Sequence, residues 1–596
     1  MFVFFCRLAA ILLLVQVGSV QADTQYQISI TQPEHHLADI EMRFVADRAG
    51  AVQLKLPAWR SGKYQIMDLA SGVRLFQATD SNNHQLASDK IEKSIWKIQV
   101  NTPGLITVKY QVYANELAQR TRHIDDSHAY INASAYLMYS DHTRHQPVSI
   151  QLKVPPAWRS TSGMQRGENP HQFLAANYDV LADSPIETGI HQFFNFEADG
   201  RSYEVVIWGE GNYDPKQMVT DLQKLVAQAP VIWQGYPYQH YLFIIHATHG
   251  AKGATEHLNS TVIQRERFSF GSREQYLQFL STAAHELIHT WNVKAYRPSE
   301  LVPYDYLQPN YSKLLWISEG STSYFQNQLL LRAGLMTHAE FYADLAKRLD
   351  KFDRLPGAHV QSVAQSSFDN WISLNGDHAD NFSVNIYSEG YLVSWLLDHY
   401  LLSHSDLKAS YRNIHQQLYQ RFGKTTAFTA KDVQSIAQEL TGKSLLPWWQ
   451  QQVESPPQVN SDKLLAAAGL QRVLAKEQQA WLGLTSNHQH GSDKISKVER
   501  NSPAWKAGVT IDDEIVAVNQ LQLKAPLTER LKDFKPGQTI ELSLFREGRL
   551  QHKQVVLGAL PAKPSQITVV TKPSAAQRKF HQAWLGVDVA KDKATR

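Results

Sequence analysis

Residues 273–293 read REQYLQFLSTAAHELIHTWNV, and the five at their centre, His285-Glu286-Leu287-Ile288-His289, decide how the chain is to be read. Apolar residues recur at three- and four-residue spacing and no Gly or Pro interrupts before Pro298, so the stretch predicts a helix. Helix residues four apart share a face, which lets both imidazoles reach one ion. Zinc takes His nitrogen at about 2.0–2.1 Å, and three protein ligands plus a water make an open catalytic site. Glu286 adjoins the first imidazole and can take a proton from that water, whose pKa the metal lowers toward about 7. The competing reading is a surface helix with two exposed His. Ala284, Leu287, Ile288 and Trp291 flank the motif and argue for a buried helix. Two His and a Glu facing a core without a metal would incur heavy desolvation.

A third ligand must come from further along. Glu300, Asp305, Glu319 and Glu340 are the candidates, and Glu300 follows Pro298 too closely to fold back. Glu319, in Trp316-Ile317-Ser318-Glu319-Gly320, opens an apolar-periodic stretch and can face the preceding helix across a loop of suitable length. Ser323, four residues on, is a candidate for orienting a ligand. His246 and His249, on or after a buried-looking strand, read as core or loop residues.

The chain has 596 residues, too many for one hydrophobic core, so three or four domains are expected. A 43% hydrophobic and 19% charged composition makes a folded globular protein. The formal net charge is +3, which gives no support to a nucleic-acid partner. Residues 1–22 read as a signal peptide: Arg7 precedes the apolar run Leu8–Val17, and Val20-Gln21-Ala22 offers a cleavage site. Export, to the periplasm or beyond the cell, is therefore expected. The only cysteine, Cys6, lies in that segment, so the mature chain forms no disulfide. No later stretch reaches the 18 or so apolar residues of a membrane helix.

Four architectural segments follow. Residues 23–200 alternate apolar and polar in YQISI, VQLKLP, WKIQV, ITVKYQVYA and VSIQLKV, which predicts a β-sandwich. Residues 201–455 hold the strands YEVVIW and YLFIIHA, the zinc motif, and a helical half from about 310. SPPQ at 455–458 marks an edge. Short strands return over 477–560, and 561–596 reads as a basic, Pro/Ser-punctuated tail.

HELIHTWNVKAYRP followed by LLWISEGSTSYF resembles the glycyl aminopeptidase family of zinc metallopeptidases. The resemblance covers nearly all of the mature chain and implies a multidomain α+β protein with a thermolysin-like mixed α/β catalytic domain. PAWRSGKY at 57–64 resembles the family's Pro-x-Trp-x-x-Gly-x-Tyr stretch, and Gly253-Ala254-Thr255-Glu256-His257 its Gly-Gly-x-Glu-His segment. By that resemblance Glu256 binds the substrate's α-amine, a charge-assisted contact. Tyr387-Ser388-Glu389-Gly390 resembles Tyr-x-Lys-Gly, which implies that the Tyr387 hydroxyl donates to the oxyanion, with Glu389 standing where Lys is usual. Residues 477–560 look like a PDZ domain: Trp481-Leu482-Gly483-Leu484 matches its carboxylate loop, whose backbone N–H groups capture a peptide C-terminus. A peptide-tail receptor and a packing module are both open readings of it.

The function expected is a zinc aminopeptidase with one Zn2+ per chain, acting on peptides with small N-terminal residues such as Gly or Ala. A zinc endopeptidase and a peptide-binding, chaperone-like envelope protein are the alternatives.

Overall fold

Alternation along the N-terminal strands sorts side chains between core and solvent. In Leu37–Ala46 the side chains of Ala38, Ile40, Met42, Phe44 and Ala46 are buried while their neighbours point outward. That strand pairs with Thr24–Ser29 and Gly104–Tyr113 in a seven-stranded sheet. The structure, a computed structural model, describes residues 23–589 apart from 119, 373–375, 377 and 424–426. The expected signal peptide lies outside the described residues. The N-terminal part is β-rich as expected. Its strands fall into three sheets, of seven, five and three strands.

A second five-stranded sheet begins the next unit. Arg201–Trp208, His240–Thr248 and Ser260–Glu266 run parallel at its centre, with antiparallel Gln192–Ala198 and Gly253–Glu256 at the two edges. The hairpin that joins Gln192–Ala198 to Arg201–Trp208 places this sheet's start before residue 201, where the sequence had suggested a boundary. Helices cover it, among them Arg273–His289, His338–Arg354 and Ser388–His404, of 17 residues each, and the shorter Ser321–Arg332. No helix among the described residues is long and apolar enough to cross a membrane.

The C-terminal segment differs from the expected tail. Gln566–Val569 pairs antiparallel with Leu470–Val473, and the helix Ala575–Leu585 returns to the helical layer. There Trp584 and Leu585 join the main core, and Trp584 Nε1 donates to Tyr324 Oη at 2.7 Å. The basic, Pro/Ser-rich composition hid the helix because its buried face is only a few residues wide. Between the two legs of this return, residues 482–557 form a β-rich module with its own core.

One close approach fixes the helical layer. A Cβ on Gly320 would lie 2.4–2.5 Å from the Gly390 backbone, so both residues must lack side chains where their segments cross. Gly320→Ala is expected to destabilise the fold by about 1–3 kcal/mol through overpacking. A lowered midpoint in thermal unfolding measures it, and an unchanged midpoint would contradict the contact.

Candidate active site

The zinc-motif helix starts at a capping box. Ser272 Oγ accepts the N–H of Gln275 at 3.2 Å, and the Gln275 side chain accepts the N–H of Ser272 at 3.4 Å. Seventeen residues later it ends at His289, with both motif histidines on one face. Opposite lies a π-helical turn, Trp316–Gly320, at the mouth of Ser321–Arg332. Such turns re-aim single side chains, and this one directs Glu319 at the imidazoles.

Three atoms converge. His285 Nε2 and His289 Nε2 are 3.0 Å apart, and Glu319 Oε2 lies 3.4 and 3.2 Å from them. Tetrahedral bonds of about 2.0–2.1 Å give ligand-to-ligand edges of about 3.3 Å, so the spacing suits zinc. The proton positions agree. His289 Nδ1 donates to the Asn292 carbonyl at 3.0 Å, and His285 Nδ1 donates to Gln326 Oε1 at 2.8 Å. Gln326 cannot turn its amide round, because its Nε2 donates to Ser281 Oγ at 2.6 Å, which donates in turn to Asn327 Oδ1. With both Nδ1 atoms protonated, the two Nε2 atoms and a carboxylate oxygen face one another, and a shared cation, either a proton or a metal ion, reconciles them. Burial opposes ionisation of Glu319, but the two imidazoles outweigh it and hold the carboxyl below the usual range.

The N-terminal unit completes the site. Tyr64 Oη donates to Glu319 Oε1 at 2.6 Å, leaving Oε2 to face the two imidazoles. Gly62 has φ +79°, and a Cβ there would lie 2.5–2.6 Å from both Glu256 oxygens. Glu256 is 3% exposed, and its Oε1 has no hydrogen-bond partner among the described residues. Burial would raise its pKa, yet Lys294, His289 and Arg120 keep it below the ordinary value, so the carboxylate stays charged. Lys294 is itself held by Asp183 Oδ1 at 2.7 Å and Ser61 Oγ at 3.0 Å.

Glu286 is buried, and desolvation together with the Glu256 and Glu319 charges pushes its carboxyl up to about 8. Tyr387 stacks on His285 with ring centroids 6.0 Å apart, and burial beside Glu319 keeps its hydroxyl protonated. Glu389, at the position where Lys is usual, accepts the Asn385 N–H at 2.7 Å and the Ser388 hydroxyl at 2.9 Å. These bonds fix the turn that carries Tyr387, while Asn385 Oδ1 accepts the Tyr387 N–H at 2.8 Å at the start of the Ser388–His404 helix, and burial raises the Glu389 pKa. A cavity of about 590 Å³ opens beside His285, Glu286 and Tyr387, along Gly253 and Ala254 of the edge strand. Glu256 lies deeper, under Gly62.

The structure therefore brings together His285, His289, Glu319, Glu286, Tyr387 and Glu256. Ser323 lines the cavity, but Gln326, one turn further on, orients His285. Spacing could have found Gln326, since 319, 323 and 326 share one helix face. Asn292 and Lys294, just past the motif, were also passed over. Trp481, Leu482, Gly483 and Leu484 lie apart from this site, in the C-terminal module, beside a cavity of about 170 Å³. His249 is exposed. His246 is buried and, with His128, grips Glu187. There each imidazole takes a different carboxylate oxygen, at 2.8 and 2.9 Å, and Gln264 donates to the other nitrogen of His246. Protons fill those contacts, unlike the three-way convergence on Glu319 Oε2.

Comparison with known proteins finds similar folds and domains. A crystal structure described as an aminopeptidase N family protein from Idiomarina loihiensis superposes with a TM-score of 0.87 at 25% identity, covering 94% of this chain and 100% of that one. An M1 zinc metallopeptidase from Deinococcus radiodurans is more distant, with a TM-score of 0.44 and 12% identity over 70% of this chain and 90% of that one. A probable periplasmic serine endoprotease, DegP-like, from Pseudomonas putida is 29% identical over 129 residues, which is 19% of this chain; the chain spans about a quarter (26%) of the length of that curated relative. Residues 25–190 match the Peptidase M61 N-terminal domain, and residues 278–393 match the M61 glycyl aminopeptidase domain. Both the N-terminal and the catalytic domain models of the M61 glycyl aminopeptidase family thus match this chain, and the matched segments meet at one shared site.

Proposed function

We propose that the protein is an exported zinc aminopeptidase that removes small N-terminal residues, such as Gly or Ala, from peptides. The observation that carries this reading is the convergence of two imidazole nitrogens and one carboxylate oxygen at tetrahedral spacing. His285, His289 and Glu319 would hold one Zn2+. Bound there, zinc supplies a Lewis acid for the scissile carbonyl and a water of lowered pKa. Glu286 takes the proton from the attacking water and returns it to the leaving amine. Tyr387 donates its hydroxyl proton in a hydrogen bond to the developing oxyanion. Glu256, charged and buried beside the ligands, receives the substrate ammonium. Gly62 closes the space behind it, which favours a substrate that ends at that point and presents little side chain.

The C-terminal module fits a PDZ-like receptor for a peptide C-terminus. The Leu482 and Gly483 carbonyls turn inward, accepting the N–H groups of Ala504 and Glu499 at 2.9 and 2.8 Å, while Trp481, Leu484, Leu527 and Leu531 line the adjacent cavity. Export rests on the N-terminal sequence, and the periplasm is the proposed destination.

Metal analysis of the purified mature chain should find about one zinc per chain, lost in His285→Ala and His289→Ala. Glu286→Gln should keep the metal and lose about 10²–10⁴ in kcat. Tyr387→Phe should keep the metal and lose about 10²–10³ in kcat. A metal-free wild type, or a Glu286→Gln protein of full activity, would defeat the proposal. N-terminal acetylation of the substrate should abolish cleavage, and Glu256→Gln should raise KM for free-amine peptides. Acetylated peptides cleaved at an undiminished rate would instead establish an endopeptidase.

A further inference from the structure

Beyond the metal, the cavity runs away from Glu256 toward Gly253 and Lys252, and there it meets Arg265. Arg265 sits near the end of Ser260–Glu266, half-buried, with its side chain reaching toward the motif helix. Among the described residues its side chain makes one hydrogen bond, a long one from Nη2 to Gln278 Oε1 at 3.4 Å. Its Nε is shielded from solvent and has no hydrogen-bond partner, and no carboxylate among the described residues forms an ion pair with Arg265. The adjacent Glu266 lines the same cavity but makes no ion pair with Arg265, its Oε2 accepting the Gly250 N–H at 3.1 Å. Exposed Lys252 adds a second positive charge at the same end. Burial also pulls the Arg265 pKa down, with no neighbouring charge to offset it. A guanidinium set into a cleft without a counter-ion calls for an anion from elsewhere.

Distance identifies the anion. Gln278 precedes His285 by seven residues on one helix, about 10 Å at 1.5 Å per residue. A peptide lying along the edge strand Gly253–Glu256, with its amine at Glu256, extends about 3.3–3.4 Å per residue. Two residues beyond the scissile carbonyl cover about 7 Å, and a charge-assisted hydrogen bond spans about 3 Å more. We infer that Arg265, supported by Lys252, forms a subsite for a carboxylate two residues past the scissile bond: the C-terminus of a tripeptide, or an acidic side chain at that depth. This inference rests on the aminopeptidase reading and narrows its substrates to short or acidic peptides.

The test compares Gly-Ala-Ala, its C-terminal amide, and Gly-Ala-Glu-amide. For the wild type, kcat/KM for the acid should exceed that for the amide about tenfold, and Arg265→Gln should bring the ratio close to one. Because the ratio is taken within each protein, it is independent of how much of a preparation is folded. Calorimetry on Glu286→Gln should show the same preference in Kd. Gly-Ala-Glu-amide cleaved like the acid admits the side-chain source; cleavage at the amide's rate confines the subsite to a chain terminus. Equal rates for acid and amide in the wild type, or a preference that survives Arg265→Gln, would overturn the inference. If no peptide is cleaved while the Kd preference persists, the peptidase reading fails and the carboxylate subsite stands.

Discussion

Two imidazole nitrogens and a carboxylate oxygen, held 3.0–3.4 Å apart at the junction of two helices, form the constraint on which the rest of this structure depends. Without a shared proton or metal ion such a cluster is repulsive, so its geometry depends on the contacts that surround it. Those contacts are specific. Gln326 and the Asn292 carbonyl fix the imidazole protons, Tyr64 takes the second oxygen of Glu319, and the Gly320–Gly390 contact sets the crossing of the segments that carry Glu319 and Tyr387.

The N-terminal β-rich unit is part of the site. The turn around Gly62 passes close enough to Glu256 to exclude any side chain, and Tyr64 itself adopts a left-handed φ of +59°. Ser61 shares the Lys294 ammonium with Asp183, tying the unit to the residues just past the zinc motif. A second tie lies deeper. Glu187, on an N-terminal strand, accepts from His128 beside it and from His246 on the catalytic sheet, all three fully buried. A buried carboxylate with both oxygens satisfied resists separation of the two sheets, because pulling them apart would strand a charge.

The C-terminal end of the chain acts in the same direction. Trp584 donates to Tyr324, whose hydroxyl donates to Asp398 at 2.6 Å, joining three distant stretches within the helical core. The β-rich module between is anchored to the segment that precedes Tyr387. The Asn381 side chain bonds both the Val498 carbonyl and the Arg500 N–H, and Asn381 lies six residues before Tyr387. Glu499, between those two residues, is the one that donates to the Gly483 carbonyl. The module and the turn carrying Tyr387 thus share a short, well-bonded path.

Periodicity and spacing alone revealed the motif helix, the alternating N-terminal strands, and the pairing of His285 with His289, because each is local: a side chain's face follows from its position in one element. Glu319 was also legible, as the one acid opening an apolar-periodic stretch after the motif. Tyr64, Gly62, Lys294, Arg265 and Gln326 gained their positions only from the assembled fold. They come from four different elements, and what each does depends on an atom up to 255 residues away, as with Tyr64 and Glu319. The last segment was misread for the same reason. A helix whose buried side is little more than His581, Trp584 and Leu585 gives almost no periodic signal, and only the core it fills decides that it is structure rather than tail.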